Sequence, residues 1–112
     1  MTLGEKQRAF AACVGMLIQW AYANGYELTF GDAYRDPRLA ELNAQQGIGI
    51  KNSQHTQRLA VDFNLFKDGE YLATSEAHTP LGVYWESLHT LARWGGRFSK
   101  PDGNHYEFKN QP

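Results

Sequence analysis

The first 25 residues carry apolar side chains at the spacing of a helix. Thr2 and Glu5 have the three-residue separation of a capping box, which predicts where the helix begins. Gly25 predicts its end, since glycine accepts the left-handed conformation that closes many helices. Spacings of three and four place five apolar residues on one face, as in a helix that packs on a core: Phe10, Cys13, Val14, Leu17 and Ala21.

Alternation of apolar and polar residues predicts strands further along the chain. Leu28 and Phe30 alternate with polar neighbours and predict a first strand. The strongest alternation covers residues 58–66, where successive side chains point to opposite faces. One face takes Leu59, Val61, Phe63 and Leu65, and the other takes Ala60, Asp62 and Asn64.

A hairpin and a last short strand complete the predicted sheet. Asp68-Gly69 suits a turn that needs two positive φ angles, so residues 70–74 are expected to return as the partner strand. In residues 105–108, His105 and Glu107 share one side, and the two aromatic residues between and after them share the other.

The remaining segments predict a short helix, a loop and a second long helix. Asp36-Pro37 marks a turn, residues 38–46 predict one or two helical turns, and residues 47–57 predict a loop. Thr79-Pro80 predicts a helix start. Its apolar stripe ends before Gly95 and consists of Leu81, Trp85, Leu88 and Ala92. We therefore expect one α+β domain over residues 1–112, with helices packed on a small, mostly antiparallel sheet.

Composition excludes several classes of protein. Eleven basic and 12 acidic side chains give a net charge of −1, which argues against a nucleic-acid partner. No apolar run approaches the length of a membrane span, and the first residues lack the pattern of a secretion signal. Cys13 is the single cysteine and is expected to be buried. A bound metal would therefore be held by histidines and carboxylates.

Asp62, His55 and His105 are the candidate metal ligands. Asp62 lies on the strand face opposite the apolar residues, and two imidazoles with one carboxylate are a donor set that Zn²⁺ takes in catalytic sites. Spacing alone leaves other interpretations open, because His55 is equally consistent with an exposed loop, Asp62 with a solvated strand and His105 with the core. The other two histidines, His78 and His89, are expected at the surface, with His89 inside the second long helix.

Two segments resemble the signatures of the M15 zinc peptidases, which include D-alanyl-D-alanine carboxypeptidases and phage L-alanyl-D-glutamate endolysins. Residues 53–62 resemble the first signature, Ser-x-His-x-x-x-x-Ala-x-Asp. Residues 94–107 resemble the second, in which Trp-Gly-Gly is followed by an acid three residues before a histidine. Tyr34-Arg35 and residues 45–47 also fit, so the resemblance runs from about residue 26 to 108.

The resemblance implies roles for six residues and a fold of the hedgehog and DD-peptidase type. It implies that zinc is held by His55, Asp62 and His105, and that Asp102 is the catalytic carboxylate. Glu107 is the rival base, and the alternative role for it is to orient a ligand histidine. The resemblance implies that Arg35 binds a substrate carboxylate or the oxyanion, against the alternative of a salt bridge to Asp32 or Asp36. Ser53 is expected to hydrogen-bond near the zinc or the substrate.

The resemblance implies a zinc-dependent peptidase that cuts peptidoglycan stem peptides. The L-Ala–D-Glu bond is favoured, the D-Ala–D-Ala bond comes next, and another divalent metal in place of zinc stays open. A short chain without a secretion signal is typical of a phage lysis enzyme that is made in the cytoplasm and reaches the cell wall through a holin. The alternative is a zinc- or peptidoglycan-binding module without turnover.

Overall fold

A computed structural model describes residues 1–47 and 53–110. The helices are α1 (Leu3–Ala23), α2 (Pro37–Gln45) and α3 (Thr79–Leu88). The strands are β1 (Tyr26–Phe30), β2 (Ala60–Lys67), β3 (Glu70–Leu72), β4 (Ala92–Trp94) and β5 (His105–Phe108). Short 3₁₀ turns cover Gln54–Gln57, Glu76–His78 and Gly95–Arg97.

The five strands form one antiparallel sheet around β2. Strand β1 pairs along one edge of β2, whereas β3 and β5 pair with different halves of its other edge, and β4 pairs with β5. The predicted α+β class with a small antiparallel sheet is confirmed. In this register Asp62 lies directly opposite His105.

Helices α1 and α3 cover one face of the sheet. The capping box is present, since the Thr2 amide donates to Glu5 Oε1 (2.9 Å) and the Glu5 amide to Thr2 Oγ1 (3.1 Å). Phe10 meets Trp85 and Phe108 edge to face, at centroid distances of 5.6 and 5.3 Å. No helix within residues 1–47 and 53–110 is long and apolar enough to cross a membrane.

The alternation in β2 sets which side chains are buried. The four core residues predicted from this alternation are all buried: Leu59, just before β2, and Val61, Phe63 and Leu65 within it. The hairpin turn has φ of 53° at Asp68 and 77° at Gly69, as the sequence predicts. Because the apolar side chains face the core, Asp62 lies on the opposite face of β2, where it can contribute to a site.

The second long helix is shorter than predicted. Helix α3 ends at Leu88, and His89 is extended, with φ of −162° and ψ of 150°. Ala92, expected on the helical stripe, begins β4 instead. The prediction of a helix that continues towards Gly95 is therefore wrong, because residues 92–94 gain ladder hydrogen bonds from β5.

Both histidines expected at the surface lie closer to the core. His78 is 3% exposed, and its Nδ1 lies 2.8 Å from the Tyr106 hydroxyl, so its predicted surface position is wrong. His89 lies outside the helix and is half-buried, with its ring stacked on Phe108 at 4.7 Å. The predicted loop contains a 3₁₀ turn at Gln54–Gln57, and residues 48–52 of it lie outside the described part of the chain.

Candidate metal centre

His55, Asp62 and His105 converge on the sheet face opposite the two long helices. Asp62 Oδ1 lies 3.2 Å from His55 Nε2 and 3.1 Å from His105 Nδ1. One donor atom from each residue lies within 4.8 Å of the other two. Both imidazoles are buried, and the Asp62 side chain is 20% exposed. Three residues far apart in the chain therefore meet at one point.

A 3₁₀ turn presents His55 to this point. Ser53 caps the turn by accepting a hydrogen bond from the His55 amide on its Oγ (3.2 Å). The Ala33 carbonyl lies 3.3 Å from His55 Nδ1, so it accepts the proton of that nitrogen. In the neutral ring this contact places the proton on Nδ1, so Nε2, which is directed at Asp62, is the nitrogen that a metal would take.

The segment after β1 ties the residues of the site together. The Gly31 amide donates to the Asp62 carbonyl, and the Asp62 amide donates to the Asp32 carbonyl, both at 2.8 Å. A Cβ at Gly31 would lie 3.1 Å from Asp62 Cβ, so the small residue permits this approach. The Arg35 amide donates to the His55 carbonyl (3.2 Å), which anchors the segment at its other end.

His105 is held from behind by a carboxylate. Its Nε2 lies 2.7 Å from Glu107 Oε1, while Glu107 Oε2 accepts two hydrogen bonds from the Arg93 guanidinium, at 2.6 and 2.9 Å. The Glu107 side chain is only 5% exposed. Phe98 packs against the His105 ring. His105 therefore turns Nδ1 to Asp62 because its other nitrogen is engaged.

Mutual contact shifts the pKa values of Asp62 and His105 in opposite directions. Burial by itself raises the pKa of Asp62, but hydrogen bonds from His105 and His55 outweigh it and lower the value to about 2. Burial lowers the pKa of His105, whereas hydrogen bonds to Asp62 and Glu107 raise it, and the result is about 9. The group is thus built around an ionised carboxylate.

The donor set fits a zinc ion. Two imidazole nitrogens and one carboxylate oxygen are the three protein ligands that a catalytic zinc uses, with its fourth position left for water or substrate. The carboxylate of Glu107 behind His105 supplies the outer contact that such histidines generally have. Within residues 1–47 and 53–110, this is the group of three whose donor atoms lie close enough together to hold a metal.

Asp102 reaches the site on a loop that hydrogen bonds hold in place. The Asp102 amide donates to the Gly95 carbonyl (2.9 Å), and the Asp102 carbonyl accepts from the His105 amide (3.1 Å). Trp94 Nε1 donates to the Gly103 carbonyl (2.7 Å). A Cβ at Gly95 would clash with the Asp102 carbonyl oxygen, which explains a glycine at this position.

The surroundings of Asp102 raise the proton affinity of its carboxylate. Partial burial of its carboxyl raises the pKa, with the charge of His105 opposing this shift and that of Asp62 adding to it. His55 also opposes it. A carboxylate with a raised proton affinity is suited to general base chemistry.

Two other predicted residues have structural partners. The Arg35 side chain is 19% exposed and forms an ion pair with Asp32, at 3.2 Å between Nη2 and Oδ2. This contact is the alternative expected from the sequence, although Arg35 also adjoins His55 through its backbone. Ser53 acts as the cap of the His55 turn.

Sequence reasoning missed Arg93 and the Ala33 carbonyl. Arg93 pairs with Glu107 across the β4–β5 ladder, where the two residues are directly opposite. If the sequence had indicated β4 as a strand, a cross-strand pair of opposite charges, Arg93 and Glu107, could have been predicted. The Ala33 contact uses only a backbone oxygen, so no side-chain pattern marks it.

An α+β sheet that carries a buried His–Asp–His group beside a carboxylate is the arrangement expected of a zinc hydrolase. The profile of the D-alanyl-D-alanine carboxypeptidase family of M15 peptidases matches residues 46–108, more than half of the chain. The chain therefore belongs to this family.

A solved structure has the same fold. The Serratia marcescens L-Ala D-Glu endopeptidase ChiX superposes with a TM-score of 0.74, at 15% sequence identity, over 95% of this chain and 85% of that one. The M15-type architecture implied by the sequence is confirmed. Comparison with curated proteins gives no significant match.

Proposed function

We propose that the protein is a zinc-dependent peptidase that cleaves peptidoglycan stem peptides. The observation that carries the proposal is the meeting of His55, Asp62 and His105 at one point, with Asp102 on an anchored loop beside them. The matching family is that of a D-alanyl-D-alanine carboxypeptidase, and ChiX is an L-Ala D-Glu endopeptidase. Both bonds occur in stem peptides. We favour the L-Ala–D-Glu bond because ChiX shares this fold over nearly the whole chain.

The metal would be held by His55 Nε2, His105 Nδ1 and Asp62 Oδ1. When bound, zinc polarises the scissile carbonyl and lowers the pKa of a water molecule towards 7, from about 15.7. The protein prepares this chemistry by fixing both imidazole tautomers, through Ala33 and Glu107. It also keeps both rings out of solvent.

Asp102 acts as the general base. Its carboxylate takes a proton from the attacking water and passes it to the departing nitrogen of the substrate. Partial burial raises its pKa, which increases the proton affinity needed for that transfer. Glu107 is poorly placed for the same task, because both of its oxygens are engaged, one by His105 and the other by Arg93. We assign Glu107 the orientation of His105.

Arg35 is a cation beside the His55 turn, since its amide donates to the His55 carbonyl. Its ion pair with Asp32 is largely at the surface, since Asp32 is 64% exposed, and an exchange of partners costs little there. We assign its guanidinium to the developing oxyanion of the substrate. Ser53 supports the site by capping the turn that carries His55.

The proposal is tested with zinc analysis and digestion of purified peptidoglycan. The wild-type protein is expected to hold about one zinc per chain and to release stem-peptide fragments, and their masses identify the bond. Asp102→Asn should keep the zinc and lose about 10²–10⁴-fold in kcat, the usual contribution of a general base.

Two results would contradict the proposal in different ways. A zinc-loaded wild-type protein that never cleaves peptidoglycan would instead be a binding module. An Asp102→Asn variant that cleaves at the wild-type rate would remove Asp102 from the mechanism. A role in phage lysis, with access through a holin, is part of the same proposal and is tested by expressing the protein with and without a holin and measuring lysis.

A further inference from the structure

A small polar cavity of about 150 Å³ adjoins Asp102. The 3₁₀ turn before α3 and the loop before β5 supply most of its wall, including Thr74, Ser75, His78 and Asn104. A larger groove of about 490 Å³ shares Ser75 with it. The chemistry proposed above uses none of these four side chains.

His78 brings an unpartnered donor to the cavity. The ring is 3% exposed, and its Nδ1 lies 2.8 Å from the Tyr106 hydroxyl. Among the described residues, the buried Tyr106 hydroxyl has no other hydrogen-bond partner, so it donates its proton to Nδ1. Burial lowers the pKa of His78 to about 4, so the ring is neutral near pH 7 and its proton resides on Nε2. No group of the described residues accepts that proton.

Two hydroxyl groups add donors to the same wall. Ser75 Oγ accepts a hydrogen bond from the Gly103 amide (2.9 Å), and Thr74 Oγ1 accepts one from the Ala77 amide (3.2 Å). Each oxygen already serves as an acceptor, so each hydroxyl proton remains to be donated. Three donors without acceptors therefore line one small cavity, which suits a ligand that offers oxygen atoms.

We propose that this cavity binds the free α-carboxylate of the substrate residue whose nitrogen departs, with His78, Ser75 and Thr74 as its donors. The inference rests on the proposed peptidase function. In a stem peptide, D-Glu is joined onward through its γ-carboxyl, so its α-carboxylate is free, and a terminal D-Ala also has a free α-carboxylate. For both candidate bonds, the residue whose nitrogen departs therefore has a free α-carboxylate. The carbon of this carboxylate is two bonds from the departing nitrogen.

The position of Asp102 supports this assignment. The general base must lie against the departing nitrogen to return the proton, and the cavity opens beside that carboxyl. The nearby α-carboxylate of the same residue then falls in the cavity, and the next residues of the stem extend into the adjoining groove. Asp102 itself repels a carboxylate, so its neutral variant should bind this ligand more tightly than the wild-type protein does.

The test compares two ligands on the zinc-loaded Asp102→Asn variant, which binds without turnover. One ligand is D-Glu joined through its γ-carboxyl to L-Lys, and the other is the same dipeptide with an α-carboxamide. The free acid is expected to bind about tenfold more tightly, because hydrogen bonds to a charged acceptor are stronger. In the His78→Phe/Tyr106→Phe double variant on this background, the ratio should fall to about one. Replacing both polar partners by apolar rings leaves no buried group unpaired.

His78→Gln is the matched control, since its amide can accept from Tyr106 and still donate to the cavity. It should keep most of the preference for the free acid. A preference that survives in the double variant, or no preference in the Asp102→Asn parent, would overturn the assignment. Turnover by the wild-type protein is measured separately. Cleavage without the preference rejects the cavity alone, whereas the preference without cleavage supports the cavity and rejects the peptidase.

Discussion

Glu107 holds His105 through a hydrogen bond of 2.7 Å between Oε1 and Nε2. The two residues lie on the same side of β5, two positions apart, and the carboxylate is fixed in turn by Arg93. This chain of contacts gives His105 one orientation, with Nδ1 towards Asp62. It also gives the two carboxylates different roles. Glu107 contacts the His105 nitrogen that is turned away from Asp62, whereas Asp102 lies on a loop beside the site.

Substitution of Glu107 should therefore weaken metal binding more than it slows the reaction. Glu107→Gln removes the charge that raises the basicity of His105 and is expected to lower zinc affinity about 10–100-fold. At saturating zinc, kcat should remain near the wild-type value. Competition with a chelator measures the affinity, and peptidoglycan digestion at high zinc measures the rate.

Glu86→Gln is the control for the loss of a carboxylate that pairs with an arginine. Glu86 pairs with Arg97 at 2.7 Å, as Glu107 pairs with Arg93, but Glu86 has no hydrogen bond to His55, Asp62 or His105. It should leave zinc affinity unchanged. A Glu107→Gln variant with full zinc and no turnover would show that Glu107, and not Asp102, is the base.

Removal of a ligand histidine should abolish the stabilisation that zinc provides. A metal that binds only the folded chain stabilises it by about 4 kcal/mol at a free concentration a thousandfold above Kd. His55→Ala should lose this rise in melting temperature, because two remaining ligands bind zinc weakly. Thermal melts with zinc and with chelator measure the difference.

His89→Ala is the matched control for that experiment. His89 stacks on Phe108 and accepts a hydrogen bond from the Leu91 amide, so its removal can lower stability in both conditions. The increase in melting temperature on adding zinc should remain as in the wild-type protein. An equal zinc response in His55→Ala would exclude His55 as a ligand.

The alternation of side chains made much of this site predictable. In β2 it placed Asp62 away from the core, and in β5 it placed His105 and Glu107 on one side, as the structure has them. The position of His55 beside them depends on the turn at Gln54–Gln57, which no periodic pattern marks. The family resemblance, and not the spacing, linked that histidine to the other two.

The errors have a common physical cause in contacts between distant parts of the chain. Ala92 continues the helical spacing from Leu88, but β5 pairs with residues 92–94 and extends the backbone there. His78 is polar and next to a helix start, yet it is buried and its partner is Tyr106, 28 positions away. Local spacing cannot identify such partners, so it assigns these residues to the nearest local pattern.

Burial of His78 predicts a loss of stability in mild acid. The pKa of His78 is about 4 in the folded chain, compared with an ordinary value near 6.5. Between these values the unfolded chain binds a proton that the folded chain does not, so stability falls as the pH decreases from about 6.5 to 4. The whole loss amounts to about 3 kcal/mol, and none of it is present above pH 7.

The measurement is urea unfolding with chelator across this pH range, for the wild-type protein and His78→Gln. Gln does not titrate, so the variant should lack this part of the pH dependence, whereas other groups affect both proteins alike. Parallel curves for the two proteins would contradict a neutral buried His78.

Gly82 and Gly15 lie within helices and should respond oppositely to alanine. A Cβ at Gly82 would collide with the Trp94 ring, whereas a Cβ at Gly15 meets no atom within 4 Å. Gly15→Ala should therefore stabilise the fold by about 0.5–1 kcal/mol through helix propensity. Gly82→Ala should destabilise it by about 1–3 kcal/mol, because the packed ring has to move.

Trp94 also holds the Gly103 carbonyl, so this displacement reaches the loop that carries Asp102. Gly82→Ala should thus lower kcat at a temperature where the protein remains folded, and Gly15→Ala should not. Equal activity in both variants would show that Trp94 stabilises the core without positioning the loop.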